Sequence, residues 1–197
     1  MTDPAALLAF IRGELEASAA VLRALEGSAP AIQAAGQLIA TSLEAGGKLL
    51  LCGNGGSAAD CQHLAAELVN LLDRHHPRPA LAAMALTTDS SLLTAIANDV
   101  GFEQVFERQV EGLGRTGDVL LAISTSGNSP NILRAMERSR KLGLRTVLLT
   151  GEEGGRARVL ADVAVLVPSH ETRRIQEAHA AVGHLLCALV ERSLAGR

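Results

Sequence analysis

The sequence predicts an α/β domain in which a five-stranded parallel β-sheet is covered by helices on both faces, a three-layer αβα sandwich. The first observation is that short apolar runs alternate along the chain with longer segments of helical periodicity. The second is that these runs are continuously apolar, which is typical of strands buried on both faces. We expect all 197 residues to form a single domain, with residues 1–46 as an N-terminal helical extension.

Two helices are predicted before the first strand. Thr2 or Asp3 can cap the first helix, which has Pro4 in its first turn and continues to about Glu26. The second helix covers about 28–46 and ends at two consecutive glycines.

The remaining elements alternate between strand and helix. Strands are predicted at 48–52, 81–86, 119–124, 146–150 and 163–167. Helices are predicted at 57–73, 89–98, 102–113, 130–142, 155–161 and 171–194. Segment 73–79, DRHHPRP, is the most irregular part of the chain and is predicted to be a surface loop.

Composition excludes several classes of function. The 21 acidic and 18 basic residues give a net charge of −3, a poor match to generic nucleic-acid or anionic-membrane binding. No apolar run approaches the roughly 20 residues of a membrane span. Three cysteines without a CxxC pair argue against a disulfide scaffold. The N-terminus lacks the features of a signal peptide, so we expect a cytoplasmic protein.

Two loops at the carboxyl ends of predicted strands have the composition of anion sites. Residues 52–60 read CGNGGSAAD, and residues 124–130 read STSGNSP. Glycines allow close backbone approach, and the first amides of a helix attract an anion. The first loop also matches a dinucleotide fingerprint, but no acidic residue ends the next strand, and neither loop has the lysine of a P-loop. Because both loops offer hydroxyls and backbone amides but no basic side chain, we expect their ligand to be a sugar phosphate held by neutral donors.

Two pairs of ionisable or polar residues lie on helices near these loops. His63 and Glu67 are four residues apart and fall on one side of a helix, either as a surface pair or as a proton-transfer group. Gln176 and His184 are eight apart, a rise of ~12 Å along one helix. Either that helix begins after Gln176, or the two residues serve different copies of a site across a subunit interface. His179 is interpreted as a packing histidine.

Four segments together resemble the phosphoheptose isomerases of the sugar isomerase (SIS) domain family. They read LCGNGGSAADCQHLAAEL (51–68), LTTDSSLLTAIANDVGFEQVFERQV (86–110), GDVLLAISTSGNSPNIL (117–133) and RIQEAHAAVGHLLC (174–187). The resemblance covers nearly the whole chain and implies the flavodoxin-like SIS fold. It implies conversion of sedoheptulose 7-phosphate to D-glycero-D-manno-heptose 7-phosphate through an enediol, the first step toward the heptose of lipopolysaccharide.

The same resemblance implies roles for individual residues. The phosphate would be held by Ser57, Ser124, Ser126 and Ser129. Further substrate contacts would come from Asn54, Gly55, Gly56, Glu67, Asn98, Asp99, Thr125 and Gln176. Glu67 and His184 would be the acid/base pair. Some members use zinc, and its ligands here, one ion per subunit, would be His63, Glu67, Gln176 and His184.

The resemblance also implies a homotetramer with active sites at subunit interfaces. Two alternatives stay open at this point. One is a non-catalytic binding protein similar to the initiator-associating protein of bacterial replication, which uses the same SIS tetramer. The other is an isomerase of a different sugar phosphate, because the two loops recognise phosphate better than chain length.

Overall fold

The five strands form one parallel sheet in the order β2-β1-β3-β4-β5, as the computed structural model of residues 3–75 and 77–195 places them. The strands are β1 (Leu49–Gly53), β2 (Ala83–Ala85), β3 (Val119–Ile123), β4 (Arg145–Gly151) and β5 (Val163–Val167). The helices are α1 (Pro4–Ala24), α2 (Ala29–Glu44), α3 (Gly56–Val69), α4 (Ser90–Asp99), α5 (Glu107–Leu113), α6 (Pro130–Lys141) and α7 (Thr172–Ala195). The predicted three-layer architecture is therefore confirmed.

The alternating side chains of the strands fill two separate cores. Leu49 and Leu51 of β1 pack in the core beneath α2, α3 and α7. Leu50 and Cys52 point to the opposite face, into the core beneath α5 and α6. Because both faces are covered, the strands need no polar side, which explains their continuously apolar sequences.

The N-terminal helix is joined to α7 by a partly buried ion-pair network. Asp3 caps α1 by accepting a hydrogen bond from the Ala5 amide at 3.0 Å, whereas Thr2 lies outside the described residues. Arg174 at the start of α7 is 5% exposed, and its guanidinium donates to Glu14 of α1 at 2.6 Å and to Glu177 at 2.8 Å. The helical extension is thus anchored to the helix that carries Gln176 and His184.

Several predicted boundaries differ from the structure. The segment 102–113 divides into a 3₁₀ turn (Phe102–Gln104) and α5, and 155–161 forms a 3₁₀ turn (Arg156–Leu160) after two glycines with positive φ. Helix α3 ends at Val69 rather than 73, because Asn70 leaves helical geometry at φ −90° and ψ −102°. Within the described ranges, none of the helices has the combination of length and apolar character that crossing a membrane requires.

The strand order places a ligand crevice between β1 and β3. The chain proceeds outward from β1 to β2 on one side and to β3, β4 and β5 on the other. Ligands of open parallel sheets bind at the carboxyl ends of the strands where the order reverses. Gly53 pairs with Ile123 at that edge, so the two loops predicted as anion sites begin side by side.

Candidate functional site

The loop after β1, residues 53–56, forms a tight turn into α3 that only glycine accommodates at two positions. A Cβ on Gly53 would come within 2.7 Å of the Ser57 carbonyl oxygen. Gly55 has φ +56° and ψ −122°, and its carbonyl accepts hydrogen bonds from the amides of Ala58 and Ala59. Ser57, a predicted phosphate ligand, is 4% exposed in the first turn of α3. The loop therefore presents the start of a helix at the crevice, where an anion is favoured.

The loop after β3, residues 124–129, supplies the hydroxyl groups. Ser124 is 5% exposed, and its hydroxyl accepts a hydrogen bond from the Gly127 amide at 3.2 Å. Ser126 is exposed and accepts from the Asn128 amide at 3.2 Å. Ser129 precedes α6 and makes no capping hydrogen bond to it within the described part of the chain. These hydroxyls surround the start of a second helix at the same edge of the sheet.

An amide pair joins the two loops. Asn54 donates to Asn131 at 2.9 Å, and Asn131 donates back to Asn54 at 2.8 Å. Asn131 is 3% exposed and also accepts from the Ile132 amide. Sequence analysis assigned Asn54 to the substrate and missed Asn131. The side chain of Asn54 is committed to a reciprocal contact across the crevice.

Helices α3 and α7 bring two histidines together. The Nε2 atoms of His63 and His184 are 2.8 Å apart, and the rings meet edge to face with centroids 5.0 Å apart. At that distance one nitrogen donates a hydrogen and the other accepts it, so the two rings are joined by a hydrogen bond. A Glu67 carboxylate oxygen lies 3.9 Å from Nδ1, on the other side of the His63 ring. The predicted acid/base pair thus belongs to one cluster of three titratable side chains.

Asp60 adds a further carboxylate near this cluster that sequence analysis missed. It lies one turn before His63 on α3 and is half-buried. Burial raises the pKa of Asp60 above its ordinary value, and the nearby His63 opposes that shift.

Gln176 lies at the opposite end of the α3–α7 contact. A Cβ on Gly56 would come within 2.9 Å of the Gln176 side-chain nitrogen, so this amide covers the start of α3. Because α7 contains both Gln176 and His184, the hypothesis that the helix begins after Gln176 is wrong. The structure does not bring Gln176 to the histidine pair within one chain.

The four predicted zinc ligands do not form a metal site within one chain. Zinc requires its ligand atoms at about 2.0–2.3 Å from a common point. Glu67 faces Nδ1 of His63 while His184 faces Nε2, and Gln176 covers Gly56 instead. Among residues 3–75 and 77–195, no three His, Cys, Asp or Glu side chains are arranged to hold a metal.

Asn98 and Asp99 lie at the C-terminal end of α4, where both are exposed. Asn98 donates to Asp99 at 2.8 Å. Within the described residues, neither side chain makes a hydrogen bond to the loops after β1 and β3.

A polar cavity of about 180 Å³ adjoins the serine-rich loop. Its lining includes the predicted residues Thr125 and Ser126 together with Glu152, Ser169 and His170. His170 Nε2 lies 3.2 Å from a Glu152 oxygen. Sequence analysis missed these last three residues, because they follow β4 and β5 in segments without a recognisable motif.

Comparisons with known proteins agree on one family. Residues 15–151 match the model of the SIS domain. A phosphoheptose isomerase from Akkermansia muciniphila is 51% identical over 95% of this chain and 98% of that protein. One from Roseiflexus sp. is 52% identical over 94% of this chain and 93% of that protein.

Solved structures give the same result. The phosphoheptose isomerase from Neisseria gonorrhoeae is 42% identical, with a TM-score of 0.87 over 94% of this chain and 99% of that chain. The one from Francisella tularensis is 38% identical, with a TM-score of 0.89 over 98% of this chain and 100% of that chain.

Proposed function

The chain belongs to the SIS domain family and, within it, to the phosphoheptose isomerases, and from this premise we propose that it interconverts sedoheptulose 7-phosphate and D-glycero-D-manno-heptose 7-phosphate. The observation that carries the proposal is the cluster of Glu67, His63 and His184 on helices that begin beside the two loops. In that setting the reaction would be the first step toward the heptose of lipopolysaccharide. Membership of an isomerase family leaves the alternative of a non-catalytic binding protein without support.

The phosphate and the reacting carbons would occupy opposite ends of α3. Ser57 and the hydroxyls of residues 124–129 receive the phosphate at the helix start. Glu67 lies ten residues further along, about 15 Å in rise. A long ketose with its phosphate on the last carbon suits this separation, because C1 and C2 then lie far from the phosphate. Binding the remote phosphate orients the carbons that react.

The proton transfers follow from the two side chains. The Glu67 carboxylate removes a proton from C1, the electrons of the broken bond form a C1–C2 double bond, and His184 protonates the oxygen on C2. The protonated Glu67 then returns a proton to C2, while His184 removes the hydroxyl proton from the oxygen on C1. The ketose has become an aldose, and both side chains have regained their initial states. Each such acid or base contributes about 10²–10⁴-fold to the rate.

His63 supports this chemistry through its hydrogen bond to His184. Their 2.8 Å contact orients the His184 ring on α7. Zinc stays a prediction of the family resemblance. Its four proposed ligands would have to come together in a way that a single chain does not show.

A homotetramer is part of the same proposal. Helix α1 has no buried residue, and its apolar side chains include Leu8, Phe10 and Leu15, which are 56%, 59% and 66% exposed. Exposed apolar surface of this kind is typical of a subunit interface. Assembly would also explain why Gln176 lies away from the histidine pair, since it could complete the site of another subunit.

A turnover assay with a panel of phosphorylated ketoses tests the proposal. Purified protein, supplied with zinc, is incubated with sedoheptulose 7-phosphate and with shorter ketose phosphates, and aldose formation is measured. We expect the seven-carbon substrate to have the highest kcat/KM. Preference for a six-carbon ketose phosphate would instead support an isomerase of another sugar phosphate. Absence of aldose from every substrate would contradict the proposed function.

A further inference from the structure

Arg78 lies in the loop between α3 and β2 and turns inward, whereas Arg74, His75, Pro77 and Pro79 of the same loop are exposed as predicted. Its side chain is 13% exposed. The guanidinium donates to the carbonyl oxygens of Glu67 and Leu68, each at 2.8 Å, and to that of Pro79 at 3.0 Å. It also donates to Glu191 of α7 at 2.8 Å. A flexible surface arginine would not make so many contacts at once.

The contacts with Glu67 and Leu68 complete the end of α3. The last carbonyl groups of an α-helix lack partners within the helix and carry partial negative charge. The Leu68 carbonyl also accepts from the Leu81 amide at 3.1 Å, whereas Arg78 supplies the donor for the Glu67 carbonyl where the chain leaves helical geometry at Asn70. Arg78 supplies both a cation and two donors at that point. It therefore fixes the turn of α3 that carries Glu67.

The contact with Glu191 extends the link to α7. The Glu191 carboxylate is 16% exposed and also accepts from the Leu72 amide at 3.3 Å. Glu191 lies seven residues after His184, which is close to two helical turns, so both residues occupy the same face of α7. Arg78 thus connects the turn that carries Glu67 to the helix face that carries His184.

We propose that Arg78 is a positioning residue for the reaction: its guanidinium holds the Glu67 turn of α3 at a fixed distance from His184. The proposal rests on the catalytic roles given above to Glu67 and His184. The phosphate loops lie at the other end of α3, so Arg78 acts on the proton-transfer groups and leaves phosphate binding unaffected. A displacement of a catalytic group by about 1 Å costs as much as ~10²-fold in rate.

The first test separates kcat from KM. In Arg78→Gln we expect kcat for sedoheptulose 7-phosphate to fall about 10–100-fold, with KM changed less than ~2-fold. Glu191→Gln, which keeps the contacts of Arg78 with α3, is expected to lower kcat less. Arg74→Gln is the matched control, since Arg74 is an exposed arginine of the same loop. Its kinetic constants should equal those of the unaltered protein.

The second test is chemical rescue. In Arg78→Ala, guanidinium chloride below denaturing concentrations should restore part of kcat, while the same concentration of sodium chloride should not. If Arg78→Ala does not fold, Arg78→Lys is decisive, because lysine retains the charge but cannot bond both α3 carbonyls and Glu191 together. We expect its kcat to fall at unchanged KM.

The outcomes distinguish this proposal from the function on which it rests. If the unaltered protein converts no sugar phosphate, the proposed function fails. If it is active and Arg78→Gln and Arg78→Lys both retain full kcat, the positioning role is wrong. A rise in KM without a fall in kcat would also overturn it, since that result would place Arg78 in substrate binding.

Discussion

The Nε2 atoms of His63 and His184 lie 2.8 Å apart, although 121 residues separate them in the chain. Gly183, the residue before His184, allows helices α3 and α7 to approach this closely. A Cβ at position 183 would come within 2.7 Å of the Leu64 side chain, which is itself buried. The contact between the two histidines therefore depends on the absence of a side chain at position 183.

We predict that Gly183→Ala lowers both stability and activity. The added methyl group must displace Leu64, and overpacking of this kind costs about 1–3 kcal/mol. Separating the helices also moves His184 from His63, so kcat should fall. Urea unfolding and a turnover assay measure the two effects.

Gly112→Ala provides the matched control. A Cβ there meets no heavy atom within 4 Å, and Gly112 lies in helix α5. Replacing a glycine at an exposed position of this helix should stabilise the protein by about 0.5–1 kcal/mol with unchanged kcat. Equal behaviour of the two variants would contradict the role given to Gly183.

We predict that Asn131→Leu weakens substrate binding by about ten-fold, because it leaves the amide of Asn54 without its partner and loosens the two phosphate loops. KM and the inhibition constant of inorganic phosphate should both rise, with little change in kcat. The double variant Asn54→Leu/Asn131→Leu shows whether the weaker binding comes from loss of the Asn54–Asn131 pair. If the pair acts as a unit, the double variant resembles each single variant. Additive losses would show that the Asn54 side chain binds substrate independently.

We predict that the protein loses stability as pH falls from 6.5 to 4 because of His179. Its side chain is 1% exposed, as expected of a packing histidine, and burial lowers the pKa of His179 from 6.5 to about 4, partly opposed by the Thr150 backbone. The unfolded chain therefore binds a proton that the folded chain excludes. Stability from the neutral ring is complete above pH 6.5 and falls by about 3 kcal/mol toward pH 4.

Urea unfolding as a function of pH measures this contribution. His179→Leu, which removes the titrating group and retains an apolar side chain, should show a shallower decline between pH 6.5 and 4. The exposed His75 supplies the control, and His75→Ala should decline as the unaltered protein does. An identical decline in His179→Leu would contradict the assignment.

The fold and the two loops could be predicted because their determinants are local. Continuous apolar runs identify parallel strands, and the glycines and serines after β1 and β3 identify the crevice before any contact is known. The placement of His63 and Glu67 on one side of α3 likewise follows from helical spacing.

The other features of the candidate site depend on tertiary contacts that no local sequence pattern encodes. Asn131 looks like an ordinary residue in the first turn of a helix, and only its partner Asn54 shows what it does. Gly183 interrupts an otherwise regular helical sequence. A glycine is needed there because the Leu64 side chain of α3 occupies the space that a Cβ would fill. Arg78 sits in a segment whose irregular sequence predicts exposure, yet two helix carbonyls and Glu191 hold it inside.

Solvent hydrogen exchange during turnover tests most directly whether Glu67 performs the carbon-to-carbon proton transfer. Sedoheptulose 7-phosphate is incubated with the protein in deuterium oxide, and NMR follows deuterium at C1 and C2. We predict exchange at these carbons with the unaltered protein, and a loss of about 10²–10⁴-fold in Glu67→Gln at unchanged phosphate affinity. Undiminished exchange in Glu67→Gln would contradict the account, because another group would then be moving the proton.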